Sequence, residues 1–309
     1  FKQKTAYEIS TRDWSSDVCS SDLITINMLS SIIPSTLYSV KIDDSLLISL
    51  HRGSIEAGRP GIAIPSIDLD LARLPHDRRA AARSALFRLA SAGRISRVRR
   101  DLVVLPDVTG ISDVSIADLV DAVATRPYLI TAGAALAHHE LTDQHFFDVV
   151  ILVANPTTTF DWRGQTARFF AVEHDNIWGA GSPSGPQIAT AERAILDALN
   201  HPRYGVGFTH VLDAMRRAHS RDQKFLSRLE RAVEHYSAGA ARHGARSCAR
   251  RIGLIVETLF GEKAARTYAQ LIGSNRAPVL LRPSGSRHGR VDPKWRVVVN
   301  APLLVKGTK

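Results

Sequence analysis

AARSALFRLASAGRISRVRRDLVVLP (81–106) decides how the rest of the chain is read. Between His76 and Asp101 there are eight arginines and only two acids, Asp77 and Asp101. The first half has helical period: Ala82, Leu86 and Leu89 fall on one face. The opposite face holds Asp77, Ala81, Ser84, Arg88 and Ser91, with Arg83 on the flank. Gly93 closes the helix as a C′ residue. Two β-like runs follow, Arg94–Arg99 and Leu102–Leu105, joined through Arg100 and Asp101 and stopped by Pro106. A helix, a glycine and a basic hairpin in this order predict a winged helix-turn-helix. Its expected ligand is double-stranded DNA, of a sequence the motif does not specify. Arg83, Ser84 and Arg88 are the expected groove contacts, and Arg97, Arg99 and Arg100 the wing contacts along the phosphate backbone. The plainer alternative is a solvated charged surface. The agreement of apolar period, basic face and hairpin favours the first.

Upstream, Lys41–Ala57 carries Leu46, Leu47, Leu50 and Ile55 loosely at helical spacing. GRPGIAIP (58–65) breaks that helix. Ser66 is then expected to cap a short helix holding Leu69, Leu71 and Leu74 before Pro75. The DNA-binding domain is thus read as 41–106, and 106–112 as a linker. Downstream, 113–303 reads as an α+β domain. Helices are expected at Ile116–Ala124, Thr131–Glu140 and Thr190–Leu199, and over most of 208–260. Strands are expected at Phe147–Ala154 and Ala167–Val172. Two terminal strands, Pro278–Arg282 and Trp295–Asn300, flank a basic glycine-rich turn. The fold class is therefore α+β, a winged helix followed by an α+β domain with a helical subdomain.

The chain has 309 residues, a formal charge of +10, 44% hydrophobic and 23% charged residues. That is too apolar for disorder, and enough chain for about two domains. No apolar run reaches the ~18 residues that span a bilayer, which excludes a transmembrane helix. The first 23 residues, FKQKTAYEISTRDWSSDVCSSDL, lack either period. Lys2–Ile9 and Asp13–Leu23 back-translate, in one frame and in order, to the two ends of a short-read sequencing adapter. The segment 1–23 is read as non-native and set aside, leaving the N-terminus open, with Met28 as one start. Setting it aside removes Cys19 and leaves Cys248 alone, in keeping with a reducing cytoplasm.

With those motifs in place, the chain resembles the AbiEi antitoxins of bacterial type IV toxin–antitoxin systems, also described as AbiEi-like transcriptional regulators. LFRLASAGRISRVRRDLVVLP (86–106) is similar to that family's helix and wing. YLITAGAALAHHELTDQ (128–144), IATAERAILDALNHPRYGVG (188–207) and RHGRVDPKWRVVVN (287–300) resemble parts of its antitoxin domain, in the same order. Two positions depart from the pattern: Asp101 stands where a glycine is expected, with a positive φ to accommodate, and Val103 where an aromatic is expected. The resemblance implies a non-enzymatic autorepressor of its own operon. It also implies one that counteracts a co-encoded nucleotidyltransferase-like toxin without a stable complex.

Other residues were weighed against plainer roles. Glu192, Arg193 and Asp197 share one helix and are candidates for antitoxin function; the plainer reading is a capped helix with exposed or bridging polar groups. His138, His139 and Glu140, with His145 and His174, do not make a metal site, because adjacent helical residues point about 100° apart and no HExxH or paired CxxC occurs. GAGSPSGP (179–186) has the wrong spacing for a dinucleotide loop, and GxxxxGK[ST] is absent, so no cofactor is expected. Asp148 and Asp161 would be needed by a rival reading, a nucleic-acid-processing enzyme delivered by the winged helix. A third reading is a transcription factor without a toxin partner. Cys248 reads as a buried thiol. Two basic runs, Arg242 to Arg251 and Arg282 to Arg296, are either a second binding surface or solvated faces.

Overall fold

The structure, a computed structural model, describes residues 35–71, 73–106, 113–239, 245–272 and 277–303. The adapter-like segment 1–23 and the linker positions 107–112 lie outside them. The chain divides into two compact units, Phe1–Ser112 and Asp113–Lys309. It is α+β, helices alternating with three small sheets among the described residues. Among the described residues no helix is long and apolar enough to cross a membrane.

In the first unit α1 is Ser35–Glu56, β1 Ile62–Ala63, α2 Pro65–Asp68, α3 His76–Ser91, β2 Ser96–Arg99 and β3 Leu102–Val104. Helix α1 begins before the expected residue 41, because the apolar residues at 37, 38 and 40 carry no clean period to mark it. The three strands form one antiparallel sheet, β1-β3-β2, with Ala63 opposite Val103 and Arg97 opposite Val103 on its other side. Strand β1 lies inside GRPGIAIP, where the glycines and prolines hid two strand residues. Helix α2 starts on Pro65 with Ile64 as its N-cap residue, so Ser66 is not the cap. The helix ends at Asp68, short of Leu69 and Leu71, because the Asp68 carboxylate folds back to accept from the Ile64 N–H and from Arg59. The core joins Leu50 of α1, Ala63, Leu89 of α3, Ile95, Val103 and Leu105, with Leu46, Leu47 and Leu86 packed around it.

In the second unit α4 is Ile116–Val123, β4 Tyr128–Thr131, α5 Ala132–His138, β5 Asp148–Val153, β6 Phe160–Trp162 and β7 Gln165–Ala171. The helices that follow are α6 Ala191–Asn200, α7 Phe208–Arg221, α8 Phe225–Gly239, α9 Ala245–Phe260 and α10 Glu262–Ala265. Helix α4 opens with a reciprocal capping box between Ser115 and Asp118. Strands β4 to β7 form a four-stranded sheet in the order β4-β5-β7-β6. Strand β5 pairs antiparallel with β4 and parallel with β7. Its unbroken apolar run is buried from Val149 to Val153, as expected of a strand covered on both faces. Strand β4 was hidden in the stretch before α5, whose alanines read as helix. The C-terminal strands are β8 Val279–Leu280, β9 Arg290–Asp292 and β10 Val297–Val299. Strands β8 and β10 are parallel neighbours, and β9 adds an antiparallel edge from within the basic turn.

The core of this unit runs from α5 and α6 through α7 to α9. At Gly253 of α9 a Cβ would lie 2.0 Å from the Trp295 ring, so only glycine lets that indole seat against the helix. Trp295 is fully buried, its Nε1 donating to Glu257 Oε2 at 2.5 Å. The quoted RHGRVDPKWRVVVN segment thus supplies packing at this tryptophan.

Candidate nucleic-acid interface

Alanines at 80–82, 85 and 90 favour the helical state of α3, and Asp77 in its first turn suits the positive end of the helix dipole. The helix ends in a Schellman motif: Gly93, at φ 68°, donates to Ala90 O, and Arg94 N–H reaches back to Leu89 O. Ala82, Ala85 and Leu89 are buried, whereas Arg83, Ser84 and Arg88 are exposed. The chain then turns directly into the β2–β3 hairpin, where Arg97 and Arg100 are exposed and Arg99 is half-buried. A register shift between Arg97 and Arg99 breaks the strand alternation and explains why neighbouring arginines differ in exposure.

Arg83, Arg97 and Arg100 line one cleft of about 510 Å³ between α3 and the hairpin, with Phe87 and Ser66 on its walls. Phe87 is 65% exposed on α3, a large aromatic left outside the core. The sequence reading missed it, although it lies one helical turn beyond Arg83 and off the buried face. Asp101 does not adopt a positive φ. Its carboxylate instead accepts from the Ser66 N–H at 2.9 Å and from the Ser66 hydroxyl, clipping the hairpin turn to the start of α2.

Arg88 is placed differently from Arg83. Its guanidinium is held by Asp43 of α1, Nη2 to Oδ1 at 2.6 Å and Nε to Oδ2 at 3.1 Å. That pairing raises the arginine pKa above its ordinary value. Arg94 is similarly paired with Asp44 at 2.7 Å. The structure therefore brings Arg83, Arg97 and Arg100 together and ties Arg88 to the first helix, while Ser84 is exposed on α3 outside the lining of that cleft.

In the second unit Glu192, Arg193 and Asp197 are all buried, and of the two expectations for a capped helix, exposed or bridging polar groups, they take the bridging one. The cap itself is Thr190, whose hydroxyl accepts from Arg193 N–H. Glu192 points away from the other two and pairs with Arg228 of α8 at 2.6 Å. Arg193 Nε donates to Asp197 Oδ2 at 2.9 Å, the same oxygen that accepts from Thr131 Oγ1 at 2.7 Å. The Arg193 guanidinium stacks 4.4 Å from the Trp178 ring and also faces Tyr236. The sequence trio is thus one ion pair on each side of α6.

The basic runs also separate. Arg250 is fully buried and donates to Ala277 O at 2.7 Å. Arg251 donates to Leu280 O and to Asn200 Oδ1. For these two, neither a binding surface nor a solvated face describes what the fold does with them; they stitch α9 to the C-terminal segment. The Arg242 and Arg246 side chains lie outside the described residues. Arg282, Arg287, Arg290 and Arg296 are exposed, and Lys294 pairs with Glu257 and Glu262. Burial pushes the Cys248 thiol up to about 12, outweighing the Asn200 amide and Arg251 nearby. Asp148 is paired with Arg168 at 2.8 Å, and Asp161 accepts from Thr166. Among the described residues no three His, Cys, Asp or Glu side chains converge as for a metal ion.

No protein-family model matches the chain, and no curated protein matches it. The chain is similar in fold to the crystal structure of the RV2827C protein from Mycobacterium tuberculosis, at 12% sequence identity. The TM-score is 0.57, over 82% of this chain and 90% of the other. At that identity the likeness concerns the fold alone.

Proposed function

We propose that residues 35–106 form a winged helix-turn-helix that binds double-stranded operator DNA, with α3 in the major groove and the β2–β3 hairpin along the backbone. One observation carries this reading: Arg83 of α3 and Arg97 and Arg100 of the hairpin open on a single cleft. A helix and a hairpin with cations facing a common space can hold a duplex at the groove and at the flanking phosphates together. Ser84 adds a phosphate or base-edge donor beside Arg83. Arg99 flanks the same hairpin from its half-buried position. Arg88 serves chiefly to hold α3 on α1.

The resemblance to AbiEi antitoxins extends the proposal to a cytoplasmic autorepressor that counteracts a nucleotidyltransferase-like toxin without a lasting complex. The test is fluorescence anisotropy on the chain from residue 24 onward. It compares the chain's own upstream DNA with a scrambled duplex from about 50 to 300 mM salt. Specific binding about a thousandfold tighter than scramble, and steeply salt-dependent, is the expected result. Equal weak binding to both duplexes overturns the operator reading. A search of the neighbouring reading frames for a nucleotidyltransferase-like toxin, and growth rescue on co-expression with it, test the antitoxin part separately; the absence of any such frame would overturn that part.

A further inference from the structure

Beyond the DNA-binding face, the second unit contains a pocket that the operator-binding reading does not use; Arg193 and Asp197, two of the candidates for antitoxin function, line it. It measures about 320 Å³ and lies between α6, α8 and α9, with Arg193, Asp197, His201, Arg203, Tyr236 and Arg251 on its walls. Arg193 is 3% exposed and Asp197 fully buried, yet Arg193 Nη1 and Asp197 Oδ1 have no hydrogen-bond partner among the described residues. Leaving such groups unsatisfied costs about 1–3 kcal/mol each, more for charged ones, so a fold that keeps both beside one cavity has a use for them.

We propose that this pocket binds a small phosphomonoester. The guanidinium groups of Arg193, Arg203 and Arg251 face its phosphate, and Asp197 Oδ1 accepts a hydrogen bond from a hydroxyl or amino group on its body. Three guanidinium groups stand against one carboxylate, an excess of two positive charges that matches a phosphate dianion. His201 does not alter that balance. Burial holds its pKa below the ordinary value, and its Nε2 lies 2.9 Å from the Tyr236 hydroxyl. Arg251 is aimed by Asn200, whose Oδ1 takes Nη1 at 2.6 Å, and Arg193 is fixed by the Trp178 ring and by Asn176 O at 3.1 Å. Two of the three cations are therefore rigid before any ligand arrives, while the exposed Arg203 can close on it. The unpartnered carboxylate oxygen adds the specificity. A dianion without an O–H, such as sulfate, offers it no donor, and a ligand with an O–H or N–H does.

Isothermal titration calorimetry on the full chain tests this with sulfate, glycerol 3-phosphate, O-phosphoserine, a nucleoside 5′-monophosphate and citrate. At least one phosphomonoester is expected to bind at least about tenfold more tightly than sulfate. Arg203→Gln, at an exposed position, should weaken it by a similar factor with the far-UV spectrum unchanged. Asp197→Asn should narrow the margin over sulfate, since the amide offers a donor where the ligand's donor must go. Sulfate binding as well as every ester would overturn the role of Asp197. Citrate binding more tightly than all phosphates would overturn the ligand class. No heat with any probe at millimolar concentration would overturn the site, and water would then satisfy the two buried atoms. None of these outcomes depends on operator binding.

Discussion

The arginines at 83, 97 and 100 and those at 193, 250 and 251 are chemically the same residue with opposite placements. The first set stands in solvent around an open cleft. In the second, Arg193 and Arg250 are buried and Arg251 half-buried, and all three are bound to carbonyls, an amide or a carboxylate. An exposed guanidinium contributes little to folding and keeps its charge for a partner. A buried one is held in position by the fold, and its removal leaves the groups around it unsatisfied. Mutation should therefore harm binding in the first unit and stability in the second.

The largest effect is expected at Arg193. Arg193→Ala leaves Asp197 as an uncompensated buried carboxylate and should cost the second unit about 3–5 kcal/mol. Urea unfolding followed by the fluorescence of Trp162, Trp178 and Trp295 would measure it; a loss below about 1 kcal/mol would erase the contrast between the two sets. Next comes Gly253→Ala. Its Cβ would meet Trp295 at 2.0 Å, an overpacking expected to cost about 1–3 kcal/mol and visible in the same unfolding curve.

Arg83→Ala should weaken operator binding by about 1–3 kcal/mol while moving stability by less than about 0.5 kcal/mol. Charge reversal at Arg97 and Arg100 should weaken binding to all duplexes alike and flatten its salt dependence, in anisotropy titrations on operator and scramble. Unchanged operator binding in both variants would sink the interface. The smallest effect is at Arg88, whose half-exposed pair with Asp43 should contribute no more than about 1 kcal/mol to stability. Asp43→Asn sharpens the comparison: if operator affinity rises, Arg88 is a reader restrained by α1; if it does not, Arg88 is a strut.

Cys248 offers a chemical version of the same contrast. Its pKa is raised by burial to about 12, so the folded state keeps the thiol protonated where the unfolded chain would ionise. That contribution is present below the ordinary thiol pKa and is lost as pH rises from there towards 12. At pH 8 the thiol should resist a disulfide reagent until urea unfolds the second unit. Rapid labelling of the native chain would show that burial does not control it.

Helix α3 was legible because Ala82 and Leu89 repeat at helical spacing and Gly93 marks the stop. Strand β5 was legible because six apolar residues in a row suit only a buried segment. Strand β1 was not, since two residues between glycines and prolines have no period, and only pairing with Val103 and Val104 makes them a strand. Ser66 looked like a helix cap, but the carboxylate that bonds its backbone N–H comes from Asp101, 35 residues away.

For the candidate site, composition carried the cations and left out their surroundings. Which arginines are tied to a carboxylate was invisible at Arg88, whose partner Asp43 lies on another helix. The ties of Arg193, Arg250 and Arg251 were also invisible, because their partners come from residues scattered between Asn176 and Leu280. The pattern along the chain sets local conformation and the sign of the charge, because helical period, turn chemistry and side-chain ionisation are properties of near neighbours. Whether a charge faces solvent, a pairing carboxylate or a closed pocket is decided only when distant segments pack. Burial and hydrogen-bond satisfaction depend on what the folded chain brings within a few ångströms.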